Sequence, residues 1–314
     1  MRGIKKIAVC TLVLLTFLGA TKNASAQQDP MYTQYMDNLL VINPAFAGSR
    51  EVGNALLIAR NQWVAFEGAP ATRSFAYNTS VEDKNIGFGV SVMSDKIGPL
   101  KQTGVYIDYS YFLLVSDKFK LGMGLKGGVS FYRAKLTGLE TVSPDPIFDR
   151  DIYENFLPNV GVGFFLYSAD TYFGLSVPKL IENKITREEV STEYINRQQM
   201  HLYFTGGQRF VLNEDYQLKT SALVKWVKHA PISFDVNAIA GFRERVWVGA
   251  MYRFNAAFGI ITQFKPSPRM TIGYSYDITI SEINGFNNGS HEIMFSYDLD
   301  LFERRTESVA VKGN

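Results

Sequence analysis

The sequence is poor in the residues that carry most catalytic and metal chemistry, with one cysteine and three histidines among 314 residues. Cys10 lies in MRGIKKIAVCTLVLLTFLGATKNASA, which opens with basic Arg2, Lys5 and Lys6, continues as a short apolar run and ends Ala24-Ser25-Ala26. That layout predicts a Sec signal peptide over residues 1–26, cleaved after Ala26. Val9 stands where a lipoprotein signal would place Gly or Ala, so no lipid anchor is expected. The mature chain, starting QQDPMYTQ, then has no cysteine for a disulfide or a thiolate. His201 and His229 lack a motif-like Ser or carboxylate partner, His291 falls on an apolar strand face near a strand end, where an interfacial structural role is expected, and H-E-x-x-H, G-x-S-x-G and P-loop patterns are missing. Asp145, Asp149 and Asp151, and the pair Glu188-Glu189, lack the alternating oxygen ligands and fixed Gly of an EF-hand loop and read as solvated loop charge. The expectation is a protein that is not an enzyme and has no cofactor or metal.

The mature chain also lacks an excess of positive charge. The signal segment holds four of the 32 Lys and Arg residues and none of the 30 acidic ones, leaving 28 basic against 30 acidic residues, a net of −2. Nothing in that balance recommends nucleic acid as a partner. After the signal no apolar stretch approaches the roughly 20 residues of a membrane helix, so a membrane role must use strands.

What the sequence does have is aromatic residues, 17 Tyr and 23 Phe, 26 glycines, and a period-2 alternation of apolar and polar side chains. In 290–302, His291, Ile293, Phe295, Tyr297, Leu299 and Leu301 fall on one face, and Glu292, Met294, Ser296, Asp298 and Asp300 on the other. The same split recurs in 232–243 and in 245–254, where Val246, Val248, Ala250, Tyr252 and Phe254 oppose Trp247, Met251 and Arg253. About fourteen such runs are read, near 54–63, 71–82, 86–94, 100–114, 118–134, 159–168, 171–178, 198–211, 216–227, 232–243, 245–254, 256–265, 269–279 and 290–302. Every second connection is short (EDKN, VSDK, SAD, LNED, RE, PSP), whereas the alternate set holds the longest, 135–158 and 179–197. That asymmetry predicts an all-β fold, a single transmembrane antiparallel barrel with both termini periplasmic, because hydrocarbon tolerates only a closed sheet and outer-membrane barrels have short periplasmic turns. Outward Val248→Arg should then be costly and inward Met251→Arg tolerated.

A barrel of this size has a lumen wider than side chains fill in the smallest barrels. The stretch Asp29–Val52, with no strand alternation, is the candidate to plug it or to bear on its periplasmic side. Tyr32, Tyr35, Met36 and Leu39 are spaced for one face of a short helix, and residues this apolar need a surface to bury against. The domain reading is residues 27–52 as the N-terminal periplasmic or plug segment, 53–302 as barrel and 303–314 as a C-terminal tail.

The ordered motifs QQDPMYTQYMDNLLVINPAFAGS, RNQW (Arg60, Asn61, Gln62, Trp63), FEGAP (from Phe66 and Glu67) and SDKIGP (with Asp95 and Lys96), followed by KLGMGLKGGVSFY, PNVGVGFFLYS and FGLSVPKL, resemble the PorP/SprF family over essentially the whole mature chain. Val64-Ala65 after Trp63, where Gly is more usual, is a small departure. The resemblance implies an outer-membrane component of the type IX secretion system, and in some bacteria gliding motility. Its implied partners are outer-membrane lipids, a secreted surface protein bearing a C-terminal sorting domain, and periplasmic parts of the secretion machinery. Candidate partner-contact or structural residues are Tyr32, Tyr35, Asn43, Pro44, Arg60, Asn61, Gln62, Trp63, Phe66, Glu67, Asp95 and Lys96, with Arg60 and Glu67 expected to pair. The competing readings are a passive porin, in which 135–158 would fold inward as a constriction, and an outer-membrane enzyme.

Overall fold

The computed structural model describes residues 29–50, 52–81, 84–139, 150–185, 196–228 and 230–299. The signal segment, its cleavage site, His229, Asp145, Asp149, Glu188-Glu189 and the tail 303–314 lie outside the described residues.

Fourteen antiparallel strands close into a barrel. In chain order they are β1 (Gly53–Asn61), β2 (Ala71–Ser80), β3 (Ile86–Ile97), β4 (Leu100–Leu114), β5 (Lys120–Ala134), β6 (Ile152–Tyr167), β7 (Thr171–Val177), β10 (His201–Val211), β11 (Tyr216–Val227), β12 (Ser233–Phe242), β13 (Val246–Arg253), β14 (Ala257–Ser267), β15 (Met270–Thr279) and β16 (Ser290–Leu299). Two-residue strands β8 (Lys184–Ile185) and β9 (Asn196–Arg197) pair with each other inside the connection from β7 to β10. Closure comes from β16 against β1, Gly53 opposite Leu299 through Asn61 opposite His291. Among the described residues no helix is long and apolar enough to cross a membrane.

The alternation read from sequence is the alternation of the wall. Val246, Val248, Tyr252, Ile293 and Phe295 are exposed on the outside, and Trp247, Met251, Glu292 and Met294 point inward and are buried. An outward apolar belt is what a closed sheet in lipid requires, and the inward set is mixed, with apolar Trp247, Met251 and Met294 beside charged Glu292. Short connections gather at one rim, from β2–β3 round to β14–β15. The other, the long-loop rim, carries 135–151, 178–200 and 280–289.

Most strand boundaries shift from expectation, among them β3, which ends at Ile97 rather than 94, and β10, which starts at His201 rather than 198; two shifts have a local cause. β1 stops at Asn61 rather than residue 63, because Trp63 (φ 47°) and Ala65 (φ 70°) take left-handed backbone that no strand accommodates. β6 starts at Ile152, seven residues before the expected 159, so the connection after β5 is 135–151. A register shift against β5 between Ser130 and Tyr132 breaks the strict alternation there, which hid the strand in the sequence.

Candidate functional site

Residues 29–50 run through the lumen from one rim to the other. Asp29 lies at the long-loop rim, where Lys179 donates to its carboxylate at 2.8 Å, and Arg50 lies at the short-turn rim, 3.6 Å from Asp298. Asp29 and Leu299, the outermost described residues, therefore sit at opposite ends of the barrel. The expected single short helix is instead three turns, a 3-10 turn Tyr35–Asp37, one α turn Leu39–Ile42 and a 3-10 turn Pro44–Phe46. Asn38, at φ −116°, interrupts the first two. Asn43 sets the third, its side chain accepting from the Ala45 N–H at 3.0 Å while Pro44 takes the first-turn position where a missing N–H costs nothing.

This segment is held by charge as well as by apolar contact. Its buried Tyr32, Tyr35, Leu39, Leu40, Ile42 and Phe46 share one cluster with inward Leu56, Ile58, Phe165, Tyr203, Leu223 and Met294 of the wall. Above that cluster, Arg60 bridges Asp277 at 2.7 Å and Glu292 at 3.3 Å, with all three side chains at most 2% exposed. The two wall carboxylates seize the segment directly. Glu292 accepts from the Thr33 and Gln34 N–H groups, both at 2.9 Å, and Asp277 accepts from the Thr33 hydroxyl at 2.7 Å. Arg60 also donates to the Thr33 hydroxyl at 2.8 Å, and Arg253, paired with Asp235 at 2.8 Å, donates to the Tyr32 carbonyl at 3.3 Å. Lower down, Lys126 sits 3.0 Å from Asp108 and donates to the Leu40 carbonyl, while Ser176 donates to that of Ile42 at 2.6 Å. A buried charge without such partners would cost several kcal/mol, so the network fixes the segment in one register.

The wall has been cleared to receive it. A Cβ on Gly124 would collide with the Ala45 backbone nitrogen, and one on Gly87 with the Ala47 carbonyl oxygen. The glycine-rich runs of β3 and β5 are where the segment's backbone lies against the sheet.

The sequence motifs thus converge. Of the candidate residues, Tyr32, Tyr35, Asn43, Pro44 and Arg60 belong to the segment's seat, with Asn43 also donating to the Phe164 carbonyl at 3.0 Å. The remainder cluster at the long-loop rim. Asn61 accepts from Arg73 at 2.9 Å, the Gln62 N–H donates to Pro70, and the Gly98 N–H of SDKIGP donates to Gly68 of FEGAP at 2.8 Å. Trp63 stands edge-on to exposed Phe66 with ring centroids 6.5 Å apart, and Lys96 is exposed. Asp95 accepts from Thr72 at 2.6 Å and lines a cavity of about 80 Å³ with Asp29, Lys179 and His201. The expected Arg60–Glu67 pair is not formed; Glu67 is exposed on the connection and Arg60, pointing inward, takes Asp277 and Glu292 instead. Those two partners lie 217 and 232 residues away in sequence and carry no local signal.

Of the described histidines, His201 stacks on Tyr203 and His291 faces outward with its Nδ1 2.7 Å from the Tyr274 hydroxyl. Asp151 accepts from the Leu136 and Thr137 N–H groups, and those bonds, the Thr137 N–H foremost, hold its carboxyl below the usual range. No group of three or more metal-ligating side chains occurs among the described residues.

Residues 24–297 match the family described as Type IX secretion system membrane protein PorP/SprF. Solved structures with a similar barrel include the Acinetobacter baumannii outer membrane protein Omp33 (TM-score 0.45, 9% identity, covering 80% of this chain and 100% of that one). The CymD monoaromatic hydrocarbon channel gives 0.46 and 12%, over 83% and 92% of the two chains. The Ralstonia pickettii toluene transporter TbuX gives 0.45 and 11%, over 82% and 92%. No curated protein sequence matches.

Proposed function

The chain belongs to the PorP/SprF family of type IX secretion system membrane proteins, and from that premise we propose that this outer-membrane barrel attaches and couples rather than conducts. The secreted surface protein, recognised through its C-terminal sorting domain, docks at the long-loop rim, and periplasmic parts of the machinery bear on the short-turn rim. In a gliding cell the attached protein would be the adhesin. The observation that carries this reading is the filled lumen, since residues 29–50 occupy it from rim to rim and are pinned by the Arg60, Asp277 and Glu292 network. A conduit for an exported chain or a solute needs that space.

The orientation follows from the rule that periplasmic turns of outer-membrane barrels are short, and it puts Asp29 toward the cell exterior and Leu299 toward the periplasm. It also makes the rim motifs RNQW, FEGAP and SDKIGP, knitted by Gly68 to Gly98, the natural docking face. We read the protein as non-enzymatic, a reading that rests on its membership of a secretion-system membrane family. Pull-down of the tagged protein from outer membranes in mild detergent tests the proposal. Recovery of a secreted protein's C-terminal domain is expected; recovery of the barrel alone, or large steady unitary currents in planar bilayers, would overturn it in favour of a porin.

A further inference from the structure

A second cavity, of about 440 Å³, opens inside the short-turn rim between the plug and the wall of β7, β10 and β11. Three of its lining residues are cations, Arg50 from the plug's end, Arg209 from β10 and Lys219 from β11. Its two carboxylates are already engaged. Asp37 accepts from Gln263 at 2.7 Å, and Asp170 is held by Arg209 at 2.7 Å. Lys219 is different. Among the described residues it makes no salt bridge, and its ammonium sits 4.0 Å over the Trp247 ring, with the Lys265 ammonium 5.9 Å from the same ring. An indole face steadies a cation without neutralising it, and of the surrounding charges Asp37 attracts Lys219 while Lys265, Arg50 and Arg209 repel it. Of the hydroxyls lining the cavity, those of Ser168, Thr171 and Thr220 already donate to the Thr171 carbonyl, the Gln208 side chain and the Gln208 carbonyl, so the two cations Lys219 and Arg50 carry the recognition of a carboxylate.

We infer that this cavity is a binding site for an acidic peptide segment, whose carboxylate enters between Lys219 and Arg50. The inference rests on the orientation proposed above, which turns the cavity toward the periplasm, and it assigns one contact of the periplasmic partner. A phospholipid headgroup is a poorer fit, because the cavity lies within the ring of strands while lipid meets its outer face. Arg50 has a further property of use here. It lies three residues before β1, at the end of the segment that fills the lumen, so an occupant that draws on it touches that segment.

The test uses the full mature protein, purified from outer membranes in mild detergent and shown folded by heat-modifiable gel mobility. A fluorescein-labelled, amidated hexaglutamate peptide is titrated by anisotropy, with hexalysine as the charge-reversed control and inorganic phosphate as competitor. Hexaglutamate should bind and hexalysine should not. Lys219→Gln should weaken hexaglutamate binding by on the order of tenfold, and Lys219→Arg should retain it. Should Lys219→Gln fail to fold, Arg50→Gln carries the same expectation. Absence of hexaglutamate binding, unchanged affinity in the folded glutamine variant, or displacement by inorganic phosphate at concentrations similar to the peptide's would overturn the proposal, the last by making the cavity a small-anion site. Orientation is read separately by Ala169→Cys. Labelling of that cysteine by an impermeant maleimide in intact cells would sink the orientation while leaving the binding result standing.

Discussion

Replacing Arg60 with methionine removes the one cation that two buried carboxylates share and that the plug's Thr33 hydroxyl also contacts. Asp277 and Glu292 are 2% and 0% exposed, so neither can turn to water in place of the lost partner. Breaking a buried pair by deleting one member costs about 3 to 5 kcal/mol, because the remaining charge is left uncompensated. The sheet itself is closed by backbone bonds through β1 and β16, which the substitution leaves intact. The penalty is therefore relieved by letting the plug's upper half leave and water reach the carboxylates. At 1.4 kcal/mol per factor of ten, that raises the unseated fraction by roughly one hundred to a few thousandfold. The assay is twofold, single-channel conductance in planar bilayers and limited proteolysis at the plug's apolar positions. Arg60→Met should give intermittent openings and faster cleavage, and the triple change with Asp277→Asn and Glu292→Gln should restore much of the closed behaviour, since no charge is then left unpaired. A variant with heat-modifiable folding, wild-type silence in bilayers and wild-type protease resistance would refute the view that this network holds the plug.

Four further outcomes are expected. Gly124→Ala should unseat residues 44–47, because its Cβ would occupy the Ala45 backbone position, and should raise conductance without loss of membrane insertion; a silent, fully seated variant would count against the close approach. Val248→Arg, on a residue 51% exposed to lipid, should cost about 2 to 4 kcal/mol near the bilayer midplane and lower barrel yield. Met251→Arg should also be poorly tolerated, contrary to the expectation from alternation alone, because Met251 is fully buried among Trp247, Ile261 and Met36; normal yield and protease resistance would show that the plug yields there. Deleting residues 29–46 behind an intact signal should leave a heat-modifiable barrel with open-channel currents and diminished partner recovery, whereas a closed barrel would mean that other residues fill the lumen.

The strands, their inward and outward faces, and the uneven rims were legible in the sequence because each is a local property. Side chains alternate every residue along a strand, and lipid imposes one polarity on the outer set, so Val248 and Trp247 are told apart by position alone. The need for something in the lumen was legible too, from the strand count and from a 29–52 stretch too apolar to stand in water. What local pattern does not contain is which groups meet across a closed barrel. Arg60 has an acidic residue seven positions on, and the sequence offered Glu67 as its partner; closure brought Asp277 and Glu292 beside it from more than 200 residues away. Likewise Met251 read as a lumen-facing residue that would tolerate charge, which holds only for a water-filled lumen. The tertiary structure decided that the lumen is packed, that the segment runs its whole length and leaves Asp29 and Leu299 at opposite rims, and that glycines at 87 and 124 mark its path. Those facts depend on the packing of a non-repeating segment against fourteen strands at once, where excluded volume and paired buried charge, rather than periodicity, select the arrangement.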